Sequence, residues 1–234
     1  MGRQLDLLTT LEAKVAPENA AVLTVDVQND FCHDQGFLGR MGAPLGLIQA
    51  MAPRLQRLLA GARERGVPVI HVISYHDERY ASPVVTEQKL RHGLPMELDG
   101  RPLRDAPYCL QGTWGAELYA IDALPGEEIV VKHRYGSFHN TNLDLVLRSR
   151  GIQSLIVTGV ATNACVESTA REAYMHDYYV VFVSDCTATT SQGAHDATLA
   201  NIDQFFGQVA SSEAIAQAWA GSGAPRRVAA GAAR

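Results

Sequence analysis

Short apolar runs and amphipathic stretches alternate along this chain. Residues 21–25 (AVLTV), 67–73 (VPVIHVI), 129–131 (IVV), 154–158 (SLIVT) and 179–183 (YVVFV) are rich in β-branched side chains. Each predicts a buried strand, and 208–210 (QVA) adds a short one. Between them apolar residues recur at helical spacing. Leu47, Ile48, Met51, Leu55, Leu58 and Leu59 mark one helix face, closed by Gly66. A second helix is expected over about 141–150, capped by Thr141 or Asn140 and stopped by Gly151. A third carries Val166, Thr169, Ala170, Ala173 and Tyr174, and a fourth spans about 194–205. Strands alternating with helices predict an α/β fold: one domain, a three-layer α/β/α arrangement around a mainly parallel, doubly wound sheet.

Residues 74–124 interrupt this rhythm. They are polar, hold Pro83, Pro95, Pro102 and Pro107, and show little periodicity. A connection that long inside a compact domain usually serves as a lid or binding loop, so it is expected to shape a substrate pocket. Residues 1–19 are read as an N-terminal arm or short amphipathic helix, 20–220 as the domain, and 221–234, rich in Ala, Gly and Arg, as a flexible tail. No internal repeat is evident.

Three predicted strands end on reactive side chains: the first on Asp26, the third on Lys132, and the fourth on the turn Gly159-Val160-Ala161-Thr162-Asn163-Ala164-Cys165-Val166. In an open α/β sheet the carboxyl edge of the strands is where ligands bind. Cys165 is expected close to a helix N-terminus, where the dipole and backbone N–H groups favour a thiolate and provide donors for an oxyanion. The fifth strand ends at Asp185, which is expected to cap the next element of the chain.

Composition narrows the partners. The chain has 234 residues, 47% hydrophobic and 19% charged, enough for one sizeable core. Its net charge of −5, with basic residues scattered, offers no footprint for nucleic acid or an anionic membrane. No apolar run approaches the roughly 20 residues that span a bilayer, and the N-terminus lacks a signal-peptide core. Cys32, Cys109, Cys165 and Cys186 are widely spaced with no CxxC pair, which argues against a disulfide framework and suits a reducing cytoplasm. Cys32, Cys109 and Cys186 are read as packing or exposed thiols.

Asp26-Val27-Gln28-Asn29-Asp30-Phe31, Lys132 and the Gly159–Val166 turn, in this order, resemble the motifs of the isochorismatase-like cysteine hydrolases. That family includes nicotinamidases, N-carbamoylsarcosine amidases, ureidoacrylate amidohydrolases and biuret hydrolases, and the likeness runs from about residue 20 to about residue 219. The resemblance implies a triad of Asp26 as proton carrier, Lys132 as fixed cation and Cys165 as nucleophile. It also implies a cis peptide between Val160 and Ala161, and an oxyanion hole formed by the amides of Ala161 and Cys165. Phe31 and Tyr135 are placed at the substrate pocket.

Arg134-Tyr135-Gly136-Ser137-Phe138, Val166-Glu167-Ser168-Thr169 and Asn201-Ile202-Asp203-Gln204-Phe205-Phe206-Gly207 are similar to the ureidoacrylate amidohydrolase branch. They point to a ureido or carbamoyl substrate, R–NH–CO–NH2, cleaved through an acyl-enzyme to carbamate, which decomposes to ammonia and carbon dioxide. Biuret, N-carbamoyl amino acids and nicotinamide-like amides stand as alternatives. The nicotinamidase branch binds a metal through an Asp and clustered histidines after the second strand. Here Ser74-Tyr75-His76-Asp77-Glu78-Arg79-Tyr80 has no second histidine, so no metal or other cofactor is expected. Vinyl-ether cleavage belongs to a branch lacking the cysteine. A nucleotide-binding protein would need glycines after the first strand, and a thiol redox protein a second cysteine near Cys165. The resemblance implies a homo-oligomer, dimer or tetramer, and either a neighbouring chain or the 74–124 region closes the pocket.

Overall fold

The computed structural model describes residues 7–94 and 108–221, and between them only the backbone of two short strands, Glu97–Leu98 and Arg101–Pro102. The expected tail beyond 221, the first six residues of the arm and most of 95–107 lie outside the described residues.

Six strands form one sheet: β1 (Ala20–Val25), β2 (Val69–Ser74), β3 (Glu128–Lys132), β4 (Ser154–Val160), β5 (Tyr179–Ala188) and β6 (Gln208–Ala210). Their spatial order is β3-β2-β1-β4-β5-β6, and every neighbouring pair is parallel. This is the doubly wound α/β sheet expected from the alternation. β1, β2 and β4 are buried along their whole length, so their sequences read as continuous apolar runs.

The helices are α1 (Leu11–Val15), α2 (Asn29–Cys32), α3 (Phe37–Arg40), α4 (Gly46–Arg65), α5 (Pro83–Arg91), α6 (Leu143–Ser149), α7 (Glu167–Met175), α8 (Gln192–Phe205) and α9 (Ser212–Gly221). They sort onto two faces. On one, Met51, Leu55 and Leu59 of α4 and Ile215 and Trp219 of α9 pack with Val22, Ile156 and Val181 of the sheet. On the other, Leu143 and Leu147 of α6, Ala170 of α7 and Ile202 of α8 meet Leu23, Val157 and Phe182. The strand side chains alternate between the two cores with the period of two that a sheet imposes. α4 ends at Gly66, left-handed at φ 74°, whose N–H closes onto the carbonyl of Ala62.

Two expectations change. β5 does not stop at Asp185 but continues to Ala188, rejoining β4 beyond a register shift between Val157 and Gly159. Asp185 caps α9 from within the strand: its carboxylate accepts from the Ser212 N–H and hydroxyl, each at 2.7 Å. The long polar region carries structure of its own, α5 and short 3₁₀ turns at Glu78–Tyr80 and Trp114–Ala116.

β1 and β4 lie side by side at the centre of the order, where the winding reverses. The chains leaving them depart towards opposite faces, and a crevice opens at their carboxyl ends.

Candidate active site

The carboxyl edge gathers four polar side chains. Asp26 follows β1 with φ 53°, a left-handed conformation to which aspartate is better suited than most residues. Ser74 and Lys132 are the last residues of β2 and β3 and pair in register. Cys165 lies beyond β4, after the cis peptide Val160–Ala161, within a π-turn over Thr162–Val166; α7 begins only at Glu167. Gly159 lets β4 approach β1 beside Asp26. It sits at φ 116°, and a Cβ there would fall 2.1 Å from the Val25 carbonyl oxygen.

Lys132 Nζ lies 2.7 Å from Asp26 Oδ2. It also donates to Ser74 Oγ at 2.9 Å and to the Arg134 carbonyl at 3.0 Å. Ser74 Oγ in turn donates to Asp26 Oδ1 at 3.0 Å. Asp26, Ser74 and Lys132 are all buried, while Cys165 is partly exposed and close enough to Asp26 and Lys132 for both charges to act on its thiol. Burial opposes the lysine charge, but the Asp26 carboxylate and the sulfur of Cys165 outweigh it and hold the Lys132 pKa above its ordinary value.

The surroundings of Cys165 work against the thiolate that a helix N-terminus was expected to favour. Burial first, then the charge of Asp26, push its pKa up to about 12, against the opposing pull of Lys132. The helix-terminus argument gave too much weight to a weak dipole. A full carboxylate within hydrogen-bonding range has the opposite sign and a larger effect.

A cavity of about 480 Å³ opens onto this group. Asp26, Phe31, Tyr135, Ala161 and Cys165 all line it, so the expected site residues converge on one space, with Lys132 bonded to Asp26 behind it. Phe31 meets Tyr108 edge to face at 5.5 Å. Tyr135 is half exposed. Sequence reasoning missed Ser74, His76, Lys89 and Tyr108, all of which line the cavity. Ser74 was open to the strand-end argument that found Asp26 and Lys132. The other three lie in or beside the region expected to shape the pocket.

Buried polar side chains hold the surrounding loops. Gln28 accepts from the Ser74 N–H at 2.8 Å and donates to the carbonyls of Ser74 and Ala116 at 3.0 and 2.8 Å. Asn29 donates to the Trp114 carbonyl, and Asp30 accepts from the N–H groups of Phe37 and Cys109. Behind the Cys165 turn, Thr169 donates to the Cys165 carbonyl at 2.7 Å, and its Oγ1 lies 2.7 Å from Ser137 Oγ. Cys32, Cys109 and Cys186 are buried, and burial pushes each thiol pKa up. Among the histidines on and just beyond β2 and β3, His71 bonds Thr24 and Glu127, His76 approaches Lys89, His133 bonds the Tyr75 carbonyl, and His139 bonds Asn140.

Residues 20–214 match the Isochorismatase domain. The chain is 34% identical over 222 residues to ureidoacrylate amidohydrolase RutB of Methylobacterium radiotolerans, covering 92% of this chain and 84% of that one. It is likewise 34% identical over 213 residues to ureidoacrylate amidohydrolase RutB of an Enterobacter species, covering 86% and 92%. The crystal structure of a cysteine hydrolase from Pseudomonas syringae pv. phaseolicola superposes with a TM-score of 0.73 at 25% identity, over 88% of this chain and 95% of that one. With a matching domain, matching relatives and a matching fold, the chain belongs to the isochorismatase family, as a hydrolase of amide C–N bonds.

Proposed function

We propose that this enzyme is a cysteine-dependent amidohydrolase of small ureido or carbamoyl compounds, working through an acyl-enzyme. The observation that carries the reading is Cys165 on the wall of the cavity that Asp26 also lines, with Lys132 paired to Asp26 behind it. As substrate binds, Asp26 takes the thiol proton and the sulfur attacks the carbonyl carbon of R–NH–CO–NH2. Lys132 keeps the buried site neutral while the negative charge passes from the carboxylate to the sulfur. The amides of Ala161 and Cys165 receive the oxyanion. Asp26 returns its proton to the departing nitrogen, R–NH2 leaves, and a carbamoyl thioester stays on Cys165. Water, deprotonated by Asp26, then adds to that carbonyl; the C–S bond breaks, the thiol recovers its proton and carbamate departs. Phe31 forms an apolar wall and Tyr135 offers a hydroxyl. The likeness to two ureidoacrylate amidohydrolases supports a ureido substrate.

Ammonia release from ureidoacrylate, biuret, N-carbamoylsarcosine, nicotinamide and a simple aliphatic amide tests the proposal, with wild type and Cys165→Ala side by side. Turnover of a ureido compound that disappears in the variant is the expected result. Turnover that survives in Cys165→Ala would sink the nucleophile assignment, and turnover confined to nicotinamide would sink the substrate class.

A further inference from the structure

β5 runs past Asp185 to Ala188 and rejoins β4 there, with Gly159 opposite Thr187 and Val160 opposite Ala188 beyond the register shift. The extension carries the next residues, Thr189 and Thr190, onto the wall of the active-site cavity. α8 begins at Gln192, so three hydroxyl side chains fill the connection. Ser191 uses its own to cap α8, accepting from the Ala194 N–H at 3.4 Å. The hydroxyls of Thr189 and Thr190 have no hydrogen-bond partner among the described residues. Thr189 is only 5% exposed. Packing at such a position is served as well by valine, which has the same shape and no polar atom to desolvate, so space filling does not account for the hydroxyl.

Other polar side chains of the wall are committed to the protein. Asp26 and Ser74 bond Lys132, His133 bonds the Tyr75 carbonyl, and Arg134 donates to the carbonyls of His133 and Tyr80. Thr189 offers a ligand a neutral group that can accept as well as donate. Its place follows from the order of the strands. β4 lies between β1 and β5, so the turn that holds Ala161 and Cys165 has Asp26 on one side and Thr189 on the other. In the proposed reaction Asp26 returns its proton to the departing nitrogen, which sets the leaving group on the β1 side. The carbonyl oxygen faces the amides of Ala161 and Cys165. The third substituent of the carbonyl carbon, which stays behind on the sulfur, is left to the β5 side.

We propose that Thr189 is a specificity-determining residue whose hydroxyl accepts a hydrogen bond from the –NH2 retained in the carbamoyl thioester. This rests on the amidohydrolase reading above and assigns the part of the site that tells a carbamoyl group from an acyl group. An acyl group has carbon where the carbamoyl group has nitrogen. It offers no donor, and it strips water from the hydroxyl without replacing it. Thr189 therefore acts on which group is transferred to Cys165 and leaves recognition of R to the rest of the cavity.

Propylurea and N-propylacetamide share the leaving group propylamine and differ in the retained group, –NH2 or –CH3. The test compares their kcat/KM, read as propylamine release, on wild type, Thr189→Val and Thr189→Ser. Thr189→Val should lower the value for the urea about 5- to 50-fold and leave N-propylacetamide within about twofold. Thr189→Ser, which keeps the hydroxyl, should retain most of the wild-type value for the urea. Equal losses on both compounds, no loss on the urea, or wild-type turnover of the acetamide alone would overturn the assignment. If wild type turns over neither compound, the reading of the reaction fails. In that case, or if only the urea is accepted, NMR titration of both compounds into Cys165→Ala decides Thr189 separately. Urea binding weakened about fivefold or more by adding Thr189→Val, with N-propylacetamide unmoved, supports the role. Undetectable or unweakened urea binding, or equal weakening of both, rejects it.

Discussion

Replacing Asp26 with asparagine should move two properties of Cys165 in opposite directions. The carboxylate is the largest influence after burial holding the thiol pKa up at about 12, against a starting value of 9.0. At pH 8 a thiol of that pKa is ionised in about one molecule in 10⁴. The asparagine would keep the shape and remove the charge, leaving Lys132 with the sulfur as its anionic partner. Full return to 9.0 would raise the thiolate fraction by about 10³, and because burial persists we expect an increase of about 10- to 100-fold. Iodoacetamide labelling at pH 8, read by peptide mass mapping so that Cys165 is separated from the three buried cysteines, should accelerate by that factor. Amide turnover should fall by about 10²- to 10⁴-fold, since the group that carries the proton to the leaving nitrogen is gone. Slower or unchanged labelling in Asp26→Asn would refute the electrostatic account. Retained turnover would refute the proton-carrier role.

Other perturbations act on the same geometry. Ser74→Ala removes a hydroxyl that bonds both Asp26 and Lys132; kcat should drop about 10- to 100-fold with KM little changed, and a rise in KM alone would contradict it. Gly159→Ala drives a Cβ to 2.1 Å from the Val25 carbonyl oxygen at φ 116°; a loss of about 3 kcal/mol or more in urea unfolding is expected, and a loss under about 1 kcal/mol would show that the strands can part. Burial pushes the Glu127 carboxyl up, but Arg63, the Leu124 N–H and His71 outweigh it and hold the pKa at about 2. A depressed carboxylate stabilises above its unfolded pKa and loses that contribution as pH falls, here between about 4.5 and 2. Burial depresses the pKa of His71, which adds destabilisation as pH drops below about 6.5, because the unfolded chain takes up the proton first. In Glu127→Gln the stability difference from wild type should shrink towards pH 2; a difference constant from pH 7 to 2 would contradict the linkage.

How much of this was legible in the sequence depended on what marks each position. Buried parallel strands announce themselves as β-branched runs, and a parallel sheet aligns their carboxyl ends. Asp26, Lys132 and Cys165 could therefore be assigned to one edge although they are far apart in the chain. Ser74 sits at the same edge but carries no charge to draw notice. α5 escaped because its buried position is a lysine and its apolar residues face out, which leaves no helical stripe to read. α2 and α3, four residues each, are too short for any periodicity, and the Ala-rich α9 merges in composition with the tail. The balance of charge at Cys165 was not legible because distance decides it: a dipole can be inferred from a turn, but the reach of a carboxylate on another strand cannot.

The Asp26–Phe31 motif shows why a catalytic carboxylate comes with such a long run of specified neighbours. Asp26 itself bonds Ser74 and Lys132 through its side chain and faces the cavity that Cys165 lines. The four residues from Gln28 to Phe31 instead reach outward to the segments around 37, 74 and 108–116, which surround the cavity. Gln28 satisfies the Ser74 backbone from both sides, which fixes the hydroxyl between carboxylate and ammonium. Asp30 draws in two backbone N–H groups, and Gly115 packs so closely that a Cβ would lie 2.1 Å from the Asp30 carboxylate. A buried carboxylate in that position is tolerable because backbone donors replace its water. In Asp30→Asn those donors lose their anionic partner, which should loosen the cavity wall and raise KM, while the Asp26–Ser74–Lys132 contacts survive. In the proposed mechanism the two aspartates of the motif divide the work, one moving a proton and the other holding the room in which it moves.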